Sequence, residues 1–137
     1  MPNTGCLLGT AYQTLVAQLA EALRRSGLDI SVPEYLVLRT LYSRDGLQQC
    51  EIASTIGKDK GAISRTTAAM VKKGLVRTEP VSHKCLRVYV DIRGREIEQT
   101  VHEVARERHH ALEALVTERE MQTFIGVLRK IIQNQNI

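Results

Sequence analysis

The apolar positions of this chain fall into blocks of two different periods, and glycine marks most of the block ends. Leu8, Ala11, Tyr12, Leu15, Val16, Leu19, Ala20 and Leu23 recur at three- and four-residue steps, which predicts an opening helix with one broad apolar stripe. Gly27 stands where a left-handed helix exit is wanted. Ser31-Val-Pro-Glu34 has the form of a helix-start box, in which the hydroxyl and the carboxylate each satisfy a free backbone donor and Pro33 fits the first turn. The second helix runs to about Arg44 and ends at Asp45-Gly46. A short helix from about Gln48 to Ile56, with Ile52, Ala53 and Ile56 inward, ends at Gly57, and another that starts near Asp59 closes at Gly74.

After Gly74 the period changes to two. Leu86, Val88 and Val90 alternate with Arg87, Tyr89 and Asp91, a half-buried strand, for which Leu75 to Glu79 can supply an antiparallel partner and Pro80 to Lys84 the loop. Asp91 then caps a long helix with Ile97, Val101, Val104, the Arg108 stem, Ala111, Leu112 and Leu115 on its apolar side. Thr117-Glu-Arg-Glu120 is a second start box, opening a last helix with Met121, Phe124, Ile125, Leu128, Ile131 and Ile132. The expected fold is mainly α: a winged helix-turn-helix of about six helices plus a β-hairpin wing. It is expected to be a single domain over 1–137, with 31–95 as the winged helix-turn-helix and 1–30 and 96–137 as dimerisation helices, because the terminal apolar faces are too wide for one small core.

Charge changes the picture. From Lys58 to Arg95 there are ten Lys or Arg and three acids, a balance of +7 within a chain of net +4, so the remainder sums to −3. A basic middle between mildly acidic ends suggests a polyanion-binding module. The Cys6 to Ala20 stretch is broken by Thr10, Gln13, Thr14 and Gln18, so it reads neither as a membrane span nor as a secretion signal, and a cytoplasmic protein is expected. Aromatics are 4 % and Trp is absent, against a carbohydrate-stacking site. Three irregularly spaced cysteines exclude a disulfide framework and a four-thiolate zinc site within one chain. No phosphate-cradling loop, nucleophile elbow or paired carboxylates appear, so neither an enzyme nor a cofactor is expected.

The helix after Gly57 carries the candidate chemistry. With Ile63, Thr67, Met70 and Val71 packed inward, Gly61, Ser64, Arg65, Ala68 and Lys72 face out. Gly61 and Ala62 let a backbone approach DNA closely, while Ser64 and Arg65 reach base edges or phosphates in a major groove. Asp59 suits the helix N-cap, and Lys58 and Lys60 suit backbone phosphates. His83 and Lys84 at the hairpin loop, with Arg87 behind them, suit phosphate or the minor groove.

The stretch from Ser31 to Gly94 resembles the MarR family of bacterial winged-helix transcriptional regulators. The resemblance lies in Val32-Pro33-Glu34-Tyr35-Leu-Val-Leu38, Glu51-Ile52-Ala53, Asp59-Lys-Gly-Ala-Ile-Ser-Arg65, Lys73-Gly-Leu-Val-Arg77 and Gly94. It implies a homodimer with first and last helices intertwined, an inverted-repeat operator on double-stranded DNA and, often, release by a small phenolic molecule, a metal or an oxidant. Where that family's wing usually carries an Asp and two Arg, this chain has Ser82, His83 and Lys84. The Thr that often caps the first helix of the helix-turn-helix is Gln48 here.

Other readings remain open at this point. A winged helix can bind protein through the same exposed helix. A cysteine-based redox regulator would use Cys6, near the reactive position of the peroxide-sensing branch, or Cys85, whose neighbours His83 and Lys84 are electropositive. Cys50, beside Glu51, reads as inert. Tyr12 and Tyr35 are candidates to line an effector pocket. His102, His109 and His110 lack the i, i+4 spacing of two ligands on one helical face, so no metal site is expected.

Overall fold

A computed structural model describes residues 1–134 as seven helices and three strands. They form two compact units, one spanning Met1–Val104 and one beginning at Ala105. The first holds helix α1 (Thr4–Arg25), α2 (Val32–Ser43), strand β1 (Leu47–Gln48), α3 (Gln49–Ile56), α4 (Lys60–Lys72), the hairpin of β2 (Val76–Ser82) and β3 (Cys85–Val90), and α5 (Ile92–Glu96). Helix α6 (Glu98–Glu113) crosses the boundary, and α7 (Glu118–Gln133) lies in the second unit.

Local signals place most of the ends. Ser31 and Glu34 make the reciprocal box at the start of α2, with Glu34 N–H donating to the Ser31 hydroxyl at 3.3 Å and Ser31 N–H to the Glu34 carboxylate at 2.8 Å. Thr117 and Glu120 do the same for α7 at 3.1 and 2.9 Å. The backbone and hydroxyl of Thr117 hold the Glu120 carboxyl below its ordinary range. Gly27, Gly46, Gly57 and Gly74 all take positive φ, between +69° and +80°, as the punctuation predicts.

The structure departs from expectation in four places. Gln48, expected at about the start of the short helix, lies just outside it: Leu47 and Gln48 pair with Val88 and Arg87, giving a three-stranded antiparallel sheet in the order β1-β3-β2. The wing strands run farther than expected, leaving only His83-Lys84 as the turn. Pairing resumes at Ser82 and Cys85 after an irregularity beside Pro80, which has no N–H for the ladder. The long helix after Asp91 is two helices, since Ile97 (φ −94°, ψ 0°) leaves helical geometry while its side chain packs against the core. Val71 is 44 % exposed rather than inward, because a helical step of about 100° carries it off the face that Met70 buries.

The core joins α2 (Val37, Leu38, Leu41), α3 (Ile52, Ala53), α4 (Ile63, Met70) and the sheet (Leu47, Val76, Val88, Val90), with Leu75 between α4 and β2. Two polar devices lock it. Glu34, 3 % exposed, receives Lys73 Nζ at 2.9 Å, and the same ammonium donates to the Asp29 carbonyl at 3.1 Å, tying the end of α4 to the start of α2. Tyr42 donates to the Gly94 carbonyl at 2.5 Å, while Asp45 accepts from Val90 N–H at 2.9 Å and pairs with Arg95 at 3.1 Å.

Gly94 is where α5 crosses the sheet. A Cβ there would stand 2.3 Å from the Leu75 carbonyl oxygen and 2.8 Å from Val90 Cγ1. Gly94→Ala should therefore cost about 1–3 kcal/mol of unfolding free energy in urea titration. Gly126→Ala, with nothing within 4 Å of the added methyl, should be neutral or gain about 0.5–1 kcal/mol from helix propensity. Equal effects of the two would contradict the packing at Gly94.

The Tyr42 hydroxyl is pushed up to about 12, chiefly by burial and then by the Glu98 carboxylate, with Arg95 opposing. A folded-state value above the unfolded one means that the neutral phenol stabilises the fold below pH 10 and that this contribution is lost as pH rises from 10 towards 12. Thermal unfolding across that window should show the loss in the parent chain and a smaller one in Tyr42→Phe.

Candidate nucleic-acid interface

Three contacts set the outward face of α4. Asp59 caps the helix, accepting from Ala62 N–H at 2.7 Å. Ile63, Thr67 and Met70 are buried, which fixes the rotation of the helix about its axis. Thr67 donates its hydroxyl to the Ile63 carbonyl at 2.9 Å and accepts from Gln49 Nε2 at 2.7 Å, so the first helix of the pair is bonded to the second inside the fold. The Gln49 contact has no sequence signal, since a glutamine in a first helical turn reads as a solvated side chain.

What remains outside is the predicted surface. Gly61, Ser64, Arg65, Ala68 and Lys72 are exposed and Ala62 is half-buried. A Cβ on Gly61 would come within 3.2 Å of an Arg65 guanidinium nitrogen and of Asp59 Oδ1, so the absence of a side chain lets Arg65 lie back along the first turn of the helix. Arg65, in the second turn of the helix, faces solvent.

The ten cations of the basic segment separate into two sets that the sequence does not distinguish. Lys73 is held by Glu34 and Asp29, Arg77 by Glu79 at 2.8 Å, and Arg95 by Asp45 and Glu98. Arg87 donates to the Gly46 carbonyl at 2.7 Å and is half-buried, so it braces the turn before β1 instead of standing behind the loop tip as a free cation. Lys58, Lys60, Arg65, Lys72, Lys84 and Arg93 are exposed and have no hydrogen-bond or ion-pair partner among the described residues. Four of these six lie on or beside α4. Lys84 forms the wing turn with the exposed His83, and Arg93, which carries no motif in the sequence, lies beside Gly74 at the exit of α4.

The other candidate residues separate. Cys6 is exposed on α1, and Cys50 and Cys85 are half-buried at the root of the wing. Tyr12 is 54 % exposed and Tyr35 is buried. Burial raises the Tyr35 hydroxyl above its ordinary value, against the pull of Arg39. A cleft of about 390 Å³ between α2, β1 and α3 is lined by Leu36, Arg39, Arg44, Leu47 and Ile56 among others, and neither tyrosine borders it. His102 is not a free surface histidine: its ring lies 5.2 Å from that of Tyr42, between Arg39 at 3.2 Å and Glu98 at 3.4 Å. Among the described residues, no group of three His, Cys, Asp or Glu side chains could hold a metal ion, and no helix is long and apolar enough to cross a membrane.

Residues 30–81 match the model of the MarR family, described by that name. Comparison with curated proteins gives no match. Among solved structures, the chain is similar to a MarR transcriptional regulator from Methanosarcina mazei Go1 (21 % identity, 96 % of this chain and 88 % of that one, TM-score 0.81). It is also similar to CouR from Rhodococcus jostii RHA1 bound to p-coumaroyl-CoA (18 % identity, 98 % and 95 %, TM-score 0.83). A third similar structure is a mutant MarR from E. coli complexed with operator DNA (25 % identity, 93 % and 91 %, TM-score 0.81). The matched segment runs from α2 through most of β2, and the chain has the winged-helix fold of these MarR-family structures.

Proposed function

We propose that this chain is a sequence-specific DNA-binding transcriptional regulator, acting as a cytoplasmic homodimer on an inverted-repeat operator and repressing by occupying it. The observation that carries this reading is the set of exposed, unpartnered cations on and beside α4, around an N-terminal half of small residues. Cations already paired inside a fold cost their partners when they move to phosphate; unpaired ones release counterions from DNA at no such cost. The E. coli relative complexed with operator DNA has the same architecture. In the proposed complex Arg65 and Ser64 read base edges, Gly61 and Ala62 admit the backbone, and Lys58, Lys60, Lys72 and Lys84 neutralise phosphates.

The dimer rests on the terminal helices. Of the 22 residues of α1 only Ala22 and Leu23 are buried, while Leu8, Tyr12 and Leu15 of its apolar stripe, and Leu7 beside it, are exposed. In α7 only Met121 is buried, and Phe124, Val127, Ile131 and Ile132 are exposed. Apolar surface on that scale calls for a partner, and a two-fold would set the recognition helices about 34 Å apart, one turn of B-DNA. An effector would release DNA only by favouring a different spacing of those helices.

Arg65→Ala should weaken operator binding by about 1–3 kcal/mol without changing thermal stability, as read by fluorescence polarisation; unchanged affinity removes Arg65 from the contact. Lys84→Ala should lower the slope of log affinity against log salt by about one for each phosphate that the lysine neutralises, and an unaltered slope takes the wing tip off phosphate. A salt-independent absence of binding to any duplex would favour a protein-binding module on the same helix. Sedimentation at micromolar concentration should give a dimer, and a stable monomer would contradict the use of α1 and α7.

A further inference from the structure

We propose that Cys50 and Cys85 are a redox pair that closes a disulfide across the root of the wing. In the reduced chain both thiols donate to one acceptor, the amide oxygen of Gln48, Cys85 Sγ at 2.8 Å and Cys50 Sγ at 3.6 Å. The two sulfurs are therefore no farther apart than those two distances end to end. The sheet explains why they converge. β1 pairs with β3 in the register Leu47 to Val88 and Gln48 to Arg87, which sets Gln48 beside the strand that begins at Cys85. Cys50 lies in the first turn of α3, two residues after Gln48. The chain turns into α3 at Gln49, so no ladder forms there and the Gln48 carboxamide fills the gap between the thiols.

Glu51 is the neighbour that makes Cys50 read as inert in the sequence. In the fold that carboxylate is turned to the Gln48 N–H at 3.0 Å, where it caps α3. Both thiols are only half-buried, so a small oxidant can reach them. The proposed oxidant is a hydroperoxide. One thiolate attacks the peroxide oxygen, forming a sulfenic acid and releasing water or an alcohol; the second thiolate attacks that sulfur and displaces hydroxide, which leaves as water. Two thiols and one hydroperoxide give one disulfide, one water and the reduced peroxide, and a dithiol reductant reverses the step.

Closure brings the sulfurs to about 2.05 Å and must expel the Gln48 carboxamide from between them. Gln48 belongs to β1, Cys85 follows directly on the wing turn His83-Lys84, and Arg87 holds the Gly46 carbonyl. The bond therefore ties the wing to the start of α3 and displaces Lys84 relative to α4. That consequence rests on the DNA-binding reading; the bond itself does not.

The test uses the full chain carrying Cys6→Ser, treated with hydrogen peroxide. Intact mass should fall by about 2 Da, a peptide joining residues 50 and 85 should appear, and dithiothreitol should reverse both. Adding Cys50→Ser or Cys85→Ser should abolish the joined peptide. Cys50 that remains open to alkylation while Cys85 passes to sulfinic acid would overturn the pair. Affinity for random-sequence duplex at low salt should fall about tenfold on oxidation in the Cys6→Ser chain and stay constant when Cys50→Ser is added; equal affinity despite a formed disulfide would overturn the link to the wing. A reduced chain that binds no duplex counts against the DNA reading alone, since the mass measurement stands without it.

Discussion

Burial of Ile63, Thr67 and Met70 against α2, α3 and the sheet is the constraint on which the rest depends. A helix of this length is marginal in water by itself and takes its stability from the face it buries. Rotating α4 to present those three side chains elsewhere would expose apolar surface and break the Gln49–Thr67 hydrogen bond inside the fold. Once that face is fixed, Gly61, Ser64, Arg65, Ala68 and Lys72 have only one side on which to lie. The outward chemistry of the helix is thus a consequence of its inward packing.

The same economy applies to charge. Four of the ten cations between Lys58 and Arg95 hold the fold together: Lys73 neutralises the buried Glu34, Arg87 braces the Gly46 turn, Arg95 links the turn after α2 to α6 through Asp45 and Glu98, and Arg77 lies over the Tyr89 ring at 4.5 Å while pairing with Glu79. The six without partners are gathered around α4 and at the wing tip. A segment that looks uniformly basic as text is, in space, a structural set and an exposed set, and only the second is open to a polyanion.

Much of this was legible in the sequence because its signals are local. Start boxes at Ser31 and Thr117, the Asp59 cap and four glycines with positive φ each act within one turn of a helix, and the change of period after Gly74 announces the hairpin. What was not legible is non-local. Leu47-Gln48 is too short to show a period and becomes a strand only because β3 offers an edge. Ile97 leaves helical geometry with its side chain packed on a core drawn from distant segments, and the Gly46 acceptor that occupies Arg87 is 41 residues away in sequence. Gln48, a weak cap on paper, turns out to hold its amide between two thiols. Interactions of this kind leave no pattern in the chain, since each partner is an ordinary residue in its own neighbourhood.

Selection of bound sequences from a random duplex pool is the most direct measurement of whether the outer face of α4, duplicated by a two-fold, reads DNA. Enrichment of an inverted repeat with half-sites about one helical turn apart is the expected result. Recovery of a pool indistinguishable from the input, at a salt concentration low enough for phosphate contacts to hold, would contradict it.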